Sequence, residues 1–304
     1  MKTKLIVNPF AARGQMQHRY PHIEHRLRDA QFEFETAFTE RRGHGIQLAR
    51  AAVDAGFEMI VAVGGDGTLN EVVNGMIHNG KAVNPNAVLG LIASGTGSDF
   101  VRTAKIPHDT MLATEHFIRA TQITPLDIGE IPCIVAGKPS VRYFANVAGM
   151  GFDAQVIARL ERMGKRGGGT IPYYTALLAT IVNFHNLHLA IDMDGEKVNG
   201  KMNPIVVCNG KYFGGGMMIG PNASVNDGKF HVVYGHDFSA LELLMATPKL
   251  YDGTILTHPK AVEHVAKTVR VESQERVLIQ ADGELVGEGP ATFRILPNAL
   301  KLRE

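Results

Sequence analysis

Hydrophobic residues recur on two different periods along the chain, and the period changes near Thr124. Before that point, short apolar runs alternate with segments whose apolar residues return every three or four positions. This is the pattern of strands and helices alternating in a parallel α/β sheet. Lys4-Leu5-Ile6-Val7 reads as a short buried strand. Ile23, Leu27 and Ala30 share one face of a helix predicted to begin near Pro21, where proline suits the first turn. Phe32, Phe34, Thr36 and Phe38 alternate as the next strand, and Ile46, Ala49 and Val53 stripe a second helix that Gly56 ends. Met59 to Val63 and Ala87 to Ala93 read as buried strands. A helix from near Leu69 to Asn79-Gly80 lies between them, and another is predicted from Met111 to Arg119. Beyond Thr124 the runs alternate with period two between Gly, Asn and Pro turns, at 143–147, 187–193, 204–208, 229–234, 268–272 and 277–281. That texture predicts an antiparallel β domain, interrupted by helices near 152–164 and 171–184. The expected organisation is an α/β domain over 1–125, a β-rich domain over 126–290, and a segment, 291–304, that returns to the first.

Composition narrows the function classes. With 304 residues, 45% hydrophobic and 20% charged, the chain is an ordinary globular protein. Its net charge of +1 lacks the basic excess that nucleic acid demands. Cys133 and Cys208 stand far apart without metal-ligating neighbours, which suits a reducing cytoplasm. The apolar stretch after Met1 is too brief for a signal peptide, and no run of ~20 apolar residues is present to span a bilayer. The expected location is cytoplasmic, or peripheral at the inner face of a membrane.

Candidate chemistry gathers where the third strand meets its helix, at Gly64-Gly65-Asp66-Gly67-Thr68. Three glycines permit close backbone approach to an anion. The following helix, Leu69-Asn70-Glu71 onward, aims unpaired N–H groups at it. The spacing is neither a Walker A loop nor a G-x-G-x-x-G fingerprint. A tight turn with Asp66 as a capping residue is the alternative. In an open parallel sheet, ligands bind beyond the carboxyl ends of strands at the topological switch point. Asn8-Pro9, the GGDGT turn and the loop Ser94-Gly95-Thr96-Gly97-Ser98-Asp99 all fall at such ends, with Thr39 within reach.

VNPFAARG, VGGDGTLNEVV, SGTGSDFVR, LDIG, NVAGMGFDA, CNGKYFGGGMMIGPNASVNDGKF and ADGE follow one another in this chain. In that order they resemble the diacylglycerol kinase catalytic family, whose relatives include the sphingosine and ceramide kinases. The resemblance covers nearly the whole chain. It implies an N-terminal α/β domain with a mostly parallel sheet, as in NAD kinases and phosphofructokinases, and a largely antiparallel β-sandwich with inserted helices. It also implies an ATP-dependent, magnesium-requiring lipid kinase that phosphorylates the hydroxyl of diacylglycerol or a similar lipid alcohol at a membrane surface. By the same resemblance, ATP contacts Thr39, Gly64, Gly65, Asp66, Gly67, Thr68, Leu69, Asn70, Glu71, Gly95 and Thr96, and Asn8 holds the crevice in shape. Asp66 is read as a magnesium-organising or phosphate-proximal carboxylate, in keeping with a reaction that consists mostly of positioning and charge neutralisation.

Glu284 is implied as the base that accepts the lipid hydroxyl's proton, with Asp282 beside it as a further catalytic candidate. Asp282-Gly283 is equally a favoured two-residue hairpin turn. Asp227, with main-chain oxygens near Ser224 and Lys229, is implied to hold a structural divalent cation, though Asn226-Asp227-Gly228 also reads as a turn. Arg159, Arg162 and Arg166, with Lys165 and Gly167-Gly168-Gly169, precede an apolar helix; they read as an anionic-membrane contact or as a solvated face beside a core helix. A homodimer is compatible with the sequence.

Two departures bear on nucleotide affinity. Phe10-Ala11-Ala12-Arg13-Gly14 replaces the family's Ser-Gly, with Arg13 offering a phosphate contact instead, and Ser98 stands where the family carries asparagine. The competing readings are an NAD kinase-like enzyme, for which the β domain shows no adenosine-binding Asn-Glu motif, and a non-catalytic nucleotide- or lipid-binding regulatory protein.

Overall fold

The computed structural model describes residues 1–94, 97–135, 138–163 and 170–304. The N-terminal half runs β1 (Thr3–Val7), α1 (Met16–Asp29), β2 (Glu35–Phe38), α2 (His44–Asp54), β3 (Met59–Gly64), α3 (Asp66–Met76), β4 (Val88–Ala93), α4 (Asp99–Thr103) and α5 (Thr110–Arg119). Its strands pair in parallel in the order β2-β1-β3-β4. Successive strand residues face opposite layers, as the two-residue repeat requires. Leu5 and Val7 pack with Ile23, Leu27 and Phe117, while Ile6 packs with Ala49, Val53 and Val72. Helices therefore cover both faces. Because the chain steps from β1 to one side and then returns to its other side, the switch point lies between β1 and β3.

α1 starts at Met16, so Pro21 lies inside it rather than in its first turn. An interior proline costs about 3 kcal/mol. Burial of Tyr20, Ile23 and Leu27 on one face offsets that, at roughly 1.5–3 kcal/mol for each large apolar side chain. β2 is shorter than the alternation from Phe32 suggests, since Phe32 and Phe34 pack against the core ahead of it.

The C-terminal half comprises β5 (Ile123–Val135), β6 (Lys138–Phe144), β7 (Val147–Met150), α6 (Phe152–Arg162), α7 (Thr170–Ile181), β8 (Leu187–Met193), β9 (Glu196–Cys208), β10 (Phe230–His236), α8 (Ala240–Tyr251), β11 (Ala261–Ala266), β12 (Thr268–Ser273), β13 (Leu278–Ala281), β14 (Glu284–Glu288) and β15 (Ala291–Arg303). It is an antiparallel sandwich. Phe144, Met150, Val207, Val232, Val271 and Phe293 fill its interior. On the outer face Val206, Cys208 and Val233 alternate with those positions and meet α6, α7 and α8. α8 is missing from the sequence reading, although Ser239 and Glu242 form the reciprocal capping box that marks a helix start.

β15 stitches the halves together. Ala291–Arg294 pair with β12, while Lys301 and Leu302 pair in parallel with β4. β5 runs antiparallel beside β15 from Ile123 to Glu130. The parallel strand ends are thereby held facing the sandwich across a cleft.

Candidate active site

The cleft has a volume of ≈ 490 Å³ and is lined from both halves. On the α/β side, Gly65 enters α3 in an extended conformation and no side chain caps the helix. Gly65, Asp66, Gly67 and Thr68 line the cleft there. The Thr68 hydroxyl folds back on the strand end so closely that a Cβ at Gly64 would lie 2.3 Å from its Oγ1. Asn8 closes the switch point. Its N–H donates to the Val63 carbonyl at 3.1 Å, and its Nδ2 donates to Thr68 Oγ1 at 3.2 Å. Thr39, whose N–H donates to the Val7 carbonyl at 2.9 Å, lines the same wall.

The next residues of the cradle are tied into the structure around it, and Glu71 also lines the cleft. Leu69 is buried in the core. Glu71 accepts from the Gly43 and Gly45 N–H groups at 2.6 and 2.7 Å, so it holds the β2–α2 loop. Asn70 Nδ2 donates to the Tyr143 carbonyl and to Asp282, both at 3.0 Å. Gly95 and Thr96 lie outside the described residues.

Asp66 is a cap, but of a distant helix. Its oxygens accept from the Asp99 and Phe100 N–H groups at 3.0 and 3.2 Å, at the start of α4. Loss of hydration raises its pKa. Asp99 is buried beside it; burial first, and the Asp66 charge second, push Asp99 up to about 7. Asp99 Oδ2 accepts from the Gly215 N–H at 2.8 Å, and its Oδ1, which makes no hydrogen bond, faces Nε of Arg102 at 3.8 Å. Two adjacent carboxylates are tolerated together only with a shared proton or a cation, and Arg102 supplies part of that positive charge. In the sequence Asp99 stands within SGTGSDFVR, 33 positions from Asp66, so no local spacing marks the pair.

On the sandwich side, Asp282 (φ 48°) and Gly283 (φ 81°) form the β13–β14 turn, both in the left-handed region. The Asp282 carboxylate accepts four hydrogen bonds, from Asn70 Nδ2 and from the N–H groups of Ala145, Asn146 and Val147, at 3.0 to 3.1 Å. It locks the turn against the strand before α6. Glu284 emerges from that turn over the cradle, its Oε1 4.0 Å from where a Cβ on Gly67 would stand. Arg42, from the β2–α2 loop, is ion-paired with Glu284 and reaches Glu161 of α6 at 3.3 Å.

A second cavity, of ≈ 60 Å³ and almost wholly apolar, lies between the sandwich and α6, α7 and α8, with Leu177, Phe238 and Leu250 in its wall. Asp153, Tyr173 and Phe213 line both spaces. Asp153 is buried; Gln280 Nε2 donates to its Oδ2 at 2.9 Å and its Oδ1 has no partner. Burial pushes it up to about 6. The carboxylate lies against β7 so tightly that a Cβ at Gly149 would stand 1.9 Å from Oδ2. A lone acid opening a helix inside the apolar run NVAGMGFDA was the signal for it.

The Asp227 region lies elsewhere. Asp227 Oδ1 accepts from the Lys229 N–H at 3.1 Å, and Ser224 Oγ donates to Asn226 Oδ1 at 2.9 Å. Asp127, buried nearby, accepts from the Gly228 and Asn298 N–H groups at 2.6 and 2.7 Å. Among the described residues no three His, Cys, Asp or Glu side chains are grouped to hold a metal, here or in the cleft.

Arg159 and Arg162 lie on α6, whereas Lys165, Arg166 and Gly167 to Gly169 lie outside the described residues. No helix among the described residues is long and apolar enough to cross a membrane. α7 and α8 nevertheless turn Tyr174, Leu178, Leu241 and Met245 to solvent, with Val182 following α7.

Comparison with known proteins accounts for both halves. A family model for the diacylglycerol kinase catalytic domain matches residues 2–131, and one for the YegS C-terminal NAD kinase beta sandwich-like domain matches residues 146–304. A diacylglycerol kinase of Staphylococcus aureus (strain bovine RF122 / ET3-1) is 30% identical over 96% of this chain and 89% of its own length. A diacylglycerol kinase of Bacillus subtilis (strain 168) is 26% identical over 96% of this chain and 92% of its own. The crystal structure of a diacylglycerol kinase from Bacillus anthracis str. Sterne shares the fold, with a TM-score of 0.73 at 20% identity over 99% of this chain and 96% of that one.

Proposed function

The chain belongs to the diacylglycerol kinase catalytic family and is a lipid kinase; from that premise we propose that it transfers the γ-phosphate of ATP to the hydroxyl of a diacylglycerol or a similar lipid alcohol. One observation carries the acceptor class: the polar cleft and the apolar cavity meet at Asp153, Tyr173 and Phe213. A headgroup hydroxyl at that junction faces the cradle while an acyl chain enters apolar surroundings, which a polar acceptor such as NAD does not require. The small cavity accommodates the start of a chain.

In this reading the phosphates lie over Gly65 to Thr68, where the uncapped start of α3 favours anions. The acceptor oxygen attacks the γ-phosphorus, the bond from that phosphorus to the β–γ bridging oxygen breaks, and ADP leaves. The hydroxyl proton passes to Glu284 and then to solvent. Asp282 positions Glu284 rather than reacting, because four donors already occupy its oxygens. Asp153 holds the acceptor hydroxyl through its vacant Oδ1. The magnesium that the family implies fits beside the Asp66–Asp99 pair, whose mutual repulsion Arg102 at 3.8 Å offsets only in part, since Asp99 is still pushed up. When bound it neutralises phosphate charge. Asp227, with main-chain oxygens near Ser224 and Lys229, would hold a second, structural cation. The apolar face of α7 and α8, beside Arg159 and Arg162, rests on an anionic bilayer and brings the cavity to its lipid.

Glu284→Gln tests the assignment with labelled ATP and dioctanoylglycerol, alongside NAD as a rival acceptor. The expected result is retained ATP binding with turnover reduced by about 100-fold or more. A nearly unchanged rate sinks the base assignment, and phosphorylation of NAD instead of lipid sinks the acceptor class.

A further inference from the structure

Among the described residues lining the cleft the lysine and arginine side chains are Arg13, Arg41 and Arg42, and the ion pairs of Arg42 bridge its two sides. The mount of Arg42 is fixed at both ends. Thr39 is bonded to β1, and the Gly43 and Gly45 N–H groups are held by Glu71. From there the guanidinium reaches Glu161 on α6 and Glu284 on β14. The remaining Glu284 oxygen faces Gly67 of the cradle. A triphosphate over residues 65–68 therefore brings its terminal phosphate beside the guanidinium and the carboxylate at once.

Those partners compete. An arginine salt bridge lowers the proton affinity of a carboxylate and makes it a poorer base. A phosphate is a stronger bidentate partner for guanidinium than a half-exposed carboxylate, because it carries more charge and more acceptor oxygens. We propose that Arg42 is a nucleotide-operated restraint on Glu284: it pairs with the carboxylate while the cradle is empty and transfers to the terminal phosphate when nucleotide binds. The transfer frees Glu284 to take the acceptor's proton and supplies a cation to the phosphoryl group in flight. Glu161 keeps the guanidinium in the cleft in both states. This inference rests on Glu284 being the base.

The other charged groups on elements packed against β14 are Asp153, Arg159, Glu161 and Arg162 of α6 and Asp127 and Glu130 of β5, and Asp282 lies in the turn before it. Asp127 and Asp282 are engaged by backbone N–H groups, and Glu130 faces Arg294. Glu161 shares the Arg42 guanidinium directly.

The test compares Arg42→Ala and Arg42→Lys with the parent protein in ATP affinity, turnover of dioctanoylglycerol and pH profiles. Arg42→Ala is expected to weaken ATP binding about tenfold and to lower kcat about 100-fold, the cost of losing a donor to transition-state charge. The acid limb of kcat/KM for ATP, which reports the nucleotide-free enzyme, is expected to move up by about one pH unit. The acid limb of kcat, which reports the loaded enzyme, stays in place. Arg42→Lys keeps the positive charge, guards against a folding defect, and restores the acid limb more fully than kcat. Unchanged ATP affinity, or two acid limbs that shift together, overturns the transfer. If Glu284→Gln keeps its turnover, the base assignment falls and the restraint with it, while weakened ATP binding by Arg42→Ala still identifies a phosphate contact.

Discussion

Replacing Asp153 with asparagine is expected to stabilise the protein increasingly as pH rises while reducing its use of lipid. Asp153 is 3% exposed, with one oxygen bonded to Gln280 and the other bonded to nothing. Burial holds its folded pKa at about 6 against the ordinary 3.8. The folded state thus binds this proton more tightly than the unfolded chain. The group's full contribution to stability is present below about pH 4 and is lost as pH climbs through about 6. A shift of roughly two units, at about 1.4 kcal/mol each, makes the loss about 3 kcal/mol. Asparagine keeps the shape and can still accept from Gln280, but it never ionises. The stability difference between variant and parent should therefore grow from near zero at about pH 4 to about 3 kcal/mol at about pH 8. Urea unfolding followed by circular dichroism across that range measures it. Parallel curves for the two proteins would refute the account of a costly buried charge. In the same variant, turnover of dioctanoylglycerol should fall about tenfold or more if the carboxylate orients the acceptor hydroxyl, since a hydrogen bond to a charged group is worth about 1.5–3 kcal/mol.

Two further outcomes follow from close contacts and exposed faces. Gly64→Ala drives a Cβ against the Thr68 side chain, 2.3 Å from Oγ1. It should cost about 1–3 kcal/mol in overpacking and weaken ATP binding by displacing the Asn8–Thr68 contact; an unchanged melting temperature and ATP affinity would count against the cradle geometry. Charging the α7–α8 face with Val182→Asp and Met245→Asp should abolish sedimentation with phosphatidylglycerol-containing vesicles. It should spare phosphorylation of a micellar short-chain lipid, and equal loss in both assays would show a folding defect instead.

The elements were readable wherever burial imposes a period. Leu5, Ile6 and Val7 announce a strand covered on both faces, and the loops at Asn8, Thr39 and Gly64 then fall at strand ends whatever the surrounding residues. α8 was less readable because its exposed Leu241, Leu244 and Met245 blur the polar face that a soluble helix normally shows. The roles of the acids were the least accessible, for a physical reason. Asp66 caps α4, Glu71 holds the start of α2, and Asp282 gathers the N–H groups of 145–147. Each contact joins residues far apart in the chain, so no local period or spacing encodes it.

That arrangement also determines what the site must recruit. The residues described around the cleft include the carboxylates Asp66, Glu71, Asp99, Asp153, Glu161, Asp282 and Glu284 against three arginines. Backbone N–H groups disperse the charge of Asp66, Glu71 and Asp282, Arg102 faces Asp99, and the single guanidinium of Arg42 is shared by Glu161 and Glu284, so the wall stays acidic toward an incoming anion. A triphosphate adds several negative charges to that wall, and unscreened like charges a few ångströms apart cost several kcal/mol at the effective dielectric of a protein site. Nucleotide binding must therefore be coupled to added positive charge. The Asp66–Asp99 pair, which Arg102 compensates only in part, is one place for a cation, and Arg42 is a cation already positioned to move. An acidic cleft of this kind should bind ADP and ATP weakly without magnesium and tightly with it, with the gain larger for ATP because it carries the extra phosphate. Titration of both nucleotides with and without magnesium measures that difference, and equal gains would contradict a cation placed at the terminal phosphates.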